Sequence, residues 1–473
     1  MVTEKTGDAG VVKAKSTLKL SEKLGYGGGG LFVYCFYLQF QAYYMMIFLT
    51  DVLGFNAYIA ATIYTATQII KVITMIVGGT VIDSTNLKLG KYRSWILIGA
   101  ILVSIFSVLM FWKFNIPTVA AVALFVIVYI IQSFGYNIMW TANRAMVGPM
   151  SKTSDDAVSL AGVAQAASTL GGIVYGLIGV PLLTAFSSTG QGYGLTEMVY
   201  SVLILLGTAV MMAVTKKYDR PQTEKDADVV KSSKKAGRVS FGTMLKSLRG
   251  PMIPYFFAFT LGTAQQGFFF ALLTYFTTYV LNNPQVMGYA LTCYSVAGFF
   301  GALLARPLCA KFNKKAVYIA ATAASAVLYF LIRVIGGQAA GFLVIYTCIG
   351  FIGSFAGVLL PAFANDLADY QEMKTGEASA RAFVQSIAGV TIRLGGLIST
   401  SIAAFGLASI GYQKGVEMTD SMLSSITNLM AVGPALFCAA AVIVFLFYHV
   451  SESELDEFRA KKVAAAEAAK ANS

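Results

Sequence analysis

Long apolar runs separated by short polar turns dominate the chain from end to end. A helix that crosses lipid needs about 20 mostly apolar residues, because hydrocarbon offers its backbone no other hydrogen-bond partner. About twelve stretches meet that need: 28–50, 57–82, 94–113, 117–142, 158–185, 197–215, 252–281, 286–309, 316–335, 340–365, 382–412 and 423–449. Runs such as FCAAAVIVFLF at 437–447 lack the period-two alternation of a membrane β-strand, so the spans read as helices. Residues 1–27 contain no apolar signal-peptide core, and the first span is expected to direct insertion itself.

Composition sharpens this picture. Of 473 residues, 57% are hydrophobic and 12% charged, about half the charged share of a soluble protein. A cytosolic globular domain and a disordered chain are both excluded. The only histidine, His449, lies beside the polar tail, and no histidine, cysteine or carboxylate cluster appears within the spans. An enzyme, a metal site or a bound cofactor is therefore not expected. Cys35, Cys293, Cys309, Cys348 and Cys438 all fall inside spans and read as small packing residues. Gly25-x-Gly27-x-x-Gly30 matches a dinucleotide fingerprint only in letters, since no strand precedes it and an apolar span follows.

The net charge of +12 is explained by where it sits. Basic residues crowd alternate loops, including Lys88, Lys91 and Arg93, then Arg144 and Lys152, then Lys311, Lys314 and Lys315, then Lys374 and Arg381. Loops 51–56, 186–197 and 282–285 have no lysine or arginine. That asymmetry predicts a cell (inner) membrane protein with both termini cytoplasmic and no nucleic-acid partner. The polar stretch 216–250 carries ten basic and four acidic residues and divides the spans six and six. Its end, around Phe241, Met244, Leu245 and Leu248, has the spacing of a helix lying on the membrane surface. The expected organisation is a cytoplasmic segment 1–27, a six-helix bundle 28–215, a central loop 216–250, a second bundle 251–450 and a cytoplasmic tail 451–473.

GTVIDSTNLKLGKYR (79–93) and AKFNKK (310–315) form a weak repeat between the halves. Two six-helix bundles joined by a cytoplasmic loop are the arrangement of major facilitator transporters, whose halves rock about a central site. The fold class is thus an all-α membrane protein of the major facilitator type. Small residues at Gly172 and Gly176, Gly298 and Gly301, and Gly353 and Gly357 would let helices approach closely.

Ionisable groups in the hydrocarbon are costly and mark function. Lys71 lies near the middle of span two on a stripe with Tyr64, Gln68 and Met75, and Arg393 near the middle of span eleven with Gln385 and Gly389. Asp51, Asp83, Asp366 and Asp369 all fall at span ends, and no acid is expected at the depth of the two cations. A visiting anion would neutralise them; alternatively Lys71 reaches backbone carbonyls or replaces a bound cation. Tyr34, Tyr37 and Gln41 in span one, Ser133, Asn137, Trp140 and Arg144 in span four, and Gln265 and Gln266 in span seven could stack on a sugar and take its hydroxyls.

KLSEKLGYG (19–27), FLTDVLG (48–54), GKYRSWILIGA (90–100), NDLADYQEMKTGE (365–377) and SIGY (409–412) occur in order across both halves. In these segments the chain resembles the glycoside–pentoside–hexuronide cation symporters, typified by the melibiose carrier. The resemblance implies a major facilitator fold over about 20–450 and uptake of glycosides or uronides coupled to sodium or protons. It also makes 365–377 a loop between helices ten and eleven. The family's Asp-x-x-Asn-Asp-Pro cation run falls here on Lys71, Thr74, Met75 and Ile76. Its sugar-binding acids fall near Tyr34 or Cys35 and near Trp140 or Thr141, and its helix-eleven lysine matches Arg393. A lysine in the cation position would stand in for the ion and give a uniporter or exchanger.

The expected function is therefore a monomeric carrier, embedded in the lipid bilayer, of a glycoside- or uronide-like small molecule. The substrate-binding set is Lys71, Arg393, Trp140, Asn137, Tyr34, Tyr37, Gln265 and Gln266, with the coupling cation, proton or sodium, left open. The alternatives are a carrier of a hydrophobic organic anion or conjugated aglycone, and a non-transporting membrane sensor.

Overall fold

A computed structural model describes residues 18–85, 87–151, 154–219, 249–375, 380–413, 418–451, 453–455 and 457–458. The surface helix expected near Phe241 lies outside the described residues. Twelve helices among those described are long and apolar enough to cross a membrane. They are α1 (Leu20–Val52), α2 (Ala57–Ser84), α3 (Arg93–Met110), α4 (Thr118–Ala145), α5 (Ser154–Ala185) and α6 (Gly192–Thr215). The second half contains α7 (Met252–Val280), α8 (Gln285–Lys311), α9 (Lys314–Ile335), α10 (Ala339–Thr375), α11 (Ala380–Ser409) and α12 (Asp420–Leu446).

Three boundaries differ most from the hydropathy reading, where a helix runs past its apolar stretch. Helix α1 starts at Leu20, where the Glu22 carboxylate accepts the Lys19 N–H at 2.9 Å and satisfies a free helix-end donor. Helix α6 starts at Gly192, which brings Glu197 inside it. The third correction concerns 365–377: residues 365–375, expected to be a loop, continue α10. There Leu367 and Ala368 are buried with Tyr255 and Phe363, and Asp366 pairs with Lys314 at 2.5 Å.

The helices pack as two halves that repeat one pattern. In the first half α1 packs on α5 and α6, α3 on α4 and α6, and α2 on α4. In the second, α7 packs on α11 and α12, α9 on α10 and α12, and α8 on α10. The halves meet along α2–α11, α5–α8 and α1–α7. Sequence at two of these contacts explains the fit. Residues 27–32 (GGGGLF) form a π-turn within α1. A Cβ on Gly29 would come 2.7 Å from the Gly207 carbonyl of α6, and one on Gly27 would come 2.8 Å from Val163 of α5. At the seam between halves, a Cβ on Gly176 of α5 would sit 2.4 Å from Thr292 of α8.

One carboxylate fixes the α2–α3 turn. Asp219, just past α6, accepts the N–H groups of Lys91, Tyr92 and Arg93 at 3.1, 2.7 and 2.7 Å, capping α3 from another part of the chain. Gly90 makes the approach, with φ of 114° and no side chain to strike Asp219. Arg93 then ties α3 back to α6 through the Met212 carbonyl at 2.9 Å. Asp219→Ala should cost about 1–3 kcal/mol by leaving these donors unsatisfied. Thermal unfolding of the detergent-purified protein should show a lower midpoint for Asp219→Ala and a smaller loss for Asp219→Asn.

Candidate functional site

The two mid-span cations lie on α2 and α11, helices that pack on each other across the seam. Lys71 on α2 and Arg393 on α11 lie within electrostatic reach of each other. Among the described residues neither ion-pairs with a carboxylate. The backbone under Lys71 is fixed by Asn137 of α4, whose amide donates to the Lys71 carbonyl at 3.0 Å and to Thr74 Oγ1 at 2.8 Å. Thr74 and Ser133 share a further bond at 2.9 Å, so α2 is pinned to α4 at the turn that presents the ammonium. Asn137 spends both amide protons on α2, and the role of the polar stripe in span four is at least partly to hold that helix.

Arg393 also acts on Tyr136, which stacks on Trp140 at 6.0 Å and leans on Tyr37 at 5.1 Å. The Arg144 guanidinium lies 4.9 Å from the Trp140 ring centre, a cation–π contact. Lys71, Arg393, Trp140, Asn137 and Tyr37 are thus joined into one cluster drawn from α1, α2, α4 and α11. Tyr136 and Arg144 belong to it as well. Tyr136 was legible from its spacing of four to Trp140, whereas Arg144 also counted as a loop charge.

The remaining candidates stand apart from that cluster. Tyr34 is fully buried within the first half, facing Thr208 and Asn143. Gln266 donates to the Tyr294 hydroxyl at 3.0 Å, and Tyr294 stacks on Tyr346 at 4.8 Å. Gln265 is half-buried, with a carbonyl oxygen that is buried and has no hydrogen-bond partner. The Gln385 side chain lies outside the described residues. Glu197, at the start of the span expected over 197–215, lies in the second turn of α6 and is wholly buried in the protein. Hydropathy alone does not show that burial, because an apolar average ends where a carboxylate begins.

At the α1–α2 end the halves are tied by hydroxyls. Asp51 of α1 accepts from Tyr412, beyond α11, at 2.5 Å and from Tyr279 of α7, and the two tyrosines are bonded at 2.8 Å. Thr50 and Tyr275 share a bond at 2.7 Å, and Thr274 donates to the Tyr43 carbonyl at 2.7 Å. These bonds cross from one half to the other, so the seam is shut at this end.

Comparison with known proteins agrees with the fold. A sequence model described as MFS/sugar transport protein matches residues 25–452. The chain is 27% identical over 448 residues to a putative sulfoquinovose importer of Escherichia coli, covering 92% of each protein. It is 24% identical to an isoprimeverose transporter of Lactiplantibacillus pentosus, covering 87% of this chain and 85% of that one. It is 25% identical to a putative 2,3-dihydroxypropane-1-sulfonate exporter of Escherichia coli, covering 94% and 97%. Among solved structures, a D-xylose-proton symporter superposes with a TM-score of 0.60 at 14% identity, covering 88% of this chain and 96% of that one.

Rocking of the halves must break the Asp51 clasp. Asp51→Ala should shift the population toward separation at the α1–α2 end. Spin labels at the exposed positions Tyr58 and Tyr289 should report a longer or broader distance distribution in the variant. An unchanged distribution would show that the clasp does not hold this end.

Proposed function

The chain belongs to the MFS/sugar transport protein family, and we propose that its cargo is a sugar carrying a fixed negative charge, a sulfonate or a carboxylate. It is a multi-pass membrane protein and a secondary transporter of glycoside-like small molecules. The observation that carries the finer reading is the approach of Lys71 and Arg393 across the seam without an acidic partner. Two like charges at mid-depth repel, and each loses hydration there, so an anion bound between them relieves both costs. A sulfonate or carboxylate accepts several charge-assisted bonds at once, and guanidinium geometry suits such planar or forked acceptors.

The rest of the cluster fits the sugar ring. Trp140 and Tyr136 offer stacked aromatic surface for the apolar face of a pyranose, with the Arg144 guanidinium against the Trp140 ring. The relatives named for sulfoquinovose and for 2,3-dihydroxypropane-1-sulfonate make a sulfonated sugar the first cargo to try. Because Lys71 and Arg393 come from opposite halves, an anion between them would bridge the two bundles and be released as they part.

We place the carrier in the cell membrane as a monomer with both termini cytoplasmic, because one chain supplies both halves of the seam and its basic loops lie on one side. The family's cation positions in α2 hold Lys71, Thr74, Met75 and Ile76, none of them an acid.

In proteoliposomes, sulfoquinovose should be taken up saturably and in preference to glucose. Lys71→Met and Arg393→Gln should each weaken its half-saturation by about 10- to 100-fold, the loss of one charge-assisted bond. Replacing sodium with potassium should leave uptake unchanged. Equal uptake of glucose, or variants as good as the parent, would overturn the charged-sugar reading.

A further inference from the structure

The outer face of α6 runs from an apolar stripe into a basic cavity. Val202, Leu206, Val210 and Ala213 lie exposed along that face at helical spacing. The next positions in the series are Lys216 and Lys217. Both lysines line a cavity of about 750 Å³ between the start of α1, the α2–α3 turn and the end of α6. Glu22, Lys88, Arg93 and Asp219 line it as well.

The charges in this cavity do not balance. Glu22 pairs with Lys217 and also accepts from the Lys19 N–H at 2.9 Å and the Tyr218 hydroxyl at 3.0 Å. Asp219 is held by the three N–H groups at the start of α3. Lys88 and Lys216 are exposed and have no partner among the described residues. The Arg93 guanidinium donates to neutral carbonyls, those of Leu89 at 3.1 Å and Met212 at 2.9 Å, and its Nε is buried without an acceptor. Both acids are therefore engaged while three cations border one space, and an anion placed there is attracted by all three.

The position of the cavity selects the kind of anion. Two membrane crossings separate the start of α1 from the α2–α3 turn, and six separate it from the end of α6, so the whole lining lies on one face of the membrane. Leu20 and Leu24 of α1 and Leu89 of the turn are exposed at its rim. A free phosphate would engage the cations and leave this apolar surface unused. A phospholipid engages both, with its phosphate at headgroup level and its chains against the α6 stripe.

We propose that this cavity is a binding site for an anionic phospholipid, with the phosphate among Lys88, Arg93 and Lys216 and the acyl chains along Val210, Leu206 and Val202. The lipid is a bound companion of the carrier and not its cargo, so the site stands whatever sugar is carried. Its phosphate ties the α2–α3 turn to the end of α6, the same two elements that Asp219 joins from the other side of the chain. A zwitterionic lipid would bring its own ammonium into a space already rich in cations and is disfavoured.

The test uses the full chain in neutral detergent. Offered equal amounts of phosphatidylglycerol and phosphatidylcholine, the protein should retain phosphatidylglycerol preferentially in native mass spectrometry. Lys88→Gln combined with Lys216→Gln should weaken that binding by about 30-fold, the worth of two basic side chains beside an anionic headgroup. Lys88→Arg with Lys216→Arg should preserve it. Phosphatidylglycerol should raise the thermal unfolding midpoint of the parent but not of the glutamine variant, whose midpoint in detergent alone should match the parent. Lys311→Gln with Lys374→Gln removes the same charge from exposed positions in the other half and should leave binding unchanged. Equal retention of the two lipids, or an equal loss in the Lys311 and Lys374 variant, would overturn the site. Glycerol 1-phosphate or inorganic phosphate raising the midpoint as far as phosphatidylglycerol does would overturn a lipid as its ligand.

Discussion

Charge in hydrocarbon needs either a partner or water, and the features that give this fold its chemistry follow from how each buried charge meets that demand. Asp219 collects three backbone N–H groups and Asp366 a lysine, so both serve as fasteners at helix ends. Asp51 collects two phenols from the other half and becomes a fastener between bundles. Lys71 and Arg393 lie within electrostatic reach of each other, and Glu197 within reach of Tyr37 and Tyr175. The charges that are fully satisfied hold the structure together. The two cations at the seam are the ones with work to do during a transport cycle.

The repeat of packing between halves sets where that work can happen. Because α1–α5 matches α7–α11 and α2–α4 matches α8–α10, the two halves are similar bodies. Contacts inside a half are deep and aromatic, as in Phe36, Phe40, Tyr175 and Tyr200. Contacts across the seam include small-residue approaches and single hydroxyl bonds, such as Gly176 against Thr292 and Thr50 to Tyr275, beside the ring contact of Tyr43 with Phe270. Small and polar contacts can be exchanged at little cost, whereas an interlocked aromatic core cannot, so motion concentrates at the seam.

How much of this was legible in the sequence divides along the same physical line. Helix number and direction follow from the cost of exposed backbone and the placement of basic loops, both local properties of the chain. The stripe containing Lys71 and the deep position of Arg393 were equally local. Their approach to each other depends on α2 meeting α11, a contact that no spacing within either helix encodes. The extension of α10 over 365–375 was hidden for a similar reason: Leu367 and Ala368 are alternated with acids, and only the tertiary pocket around Tyr255 makes them core. Glu197 was obscured by hydropathy itself, since an averaged apolar run ends where a carboxylate begins, however deeply the helix is buried.

The burial of Glu197 near the end of α6 is informative, because it depends on neighbouring helices. A sequence reader discounts an acid at a span boundary on the assumption that it reaches water. In this fold α1 and α5 close over the boundary, and the assumption holds only when those helices move. An ionisable group whose access to water depends on conformation is coupled to that conformation by thermodynamic necessity, since its two protonation states favour different arrangements of the halves. Lys71 and Arg393 impose the complementary condition on the cargo, because an anion seated between them stabilises the state in which α2 and α11 are together. The seam thus reads the sugar. Helix α1 links that seam to the burial of Glu197, because it carries Tyr37 between Glu197 and Tyr136 and ends in the Asp51 clasp.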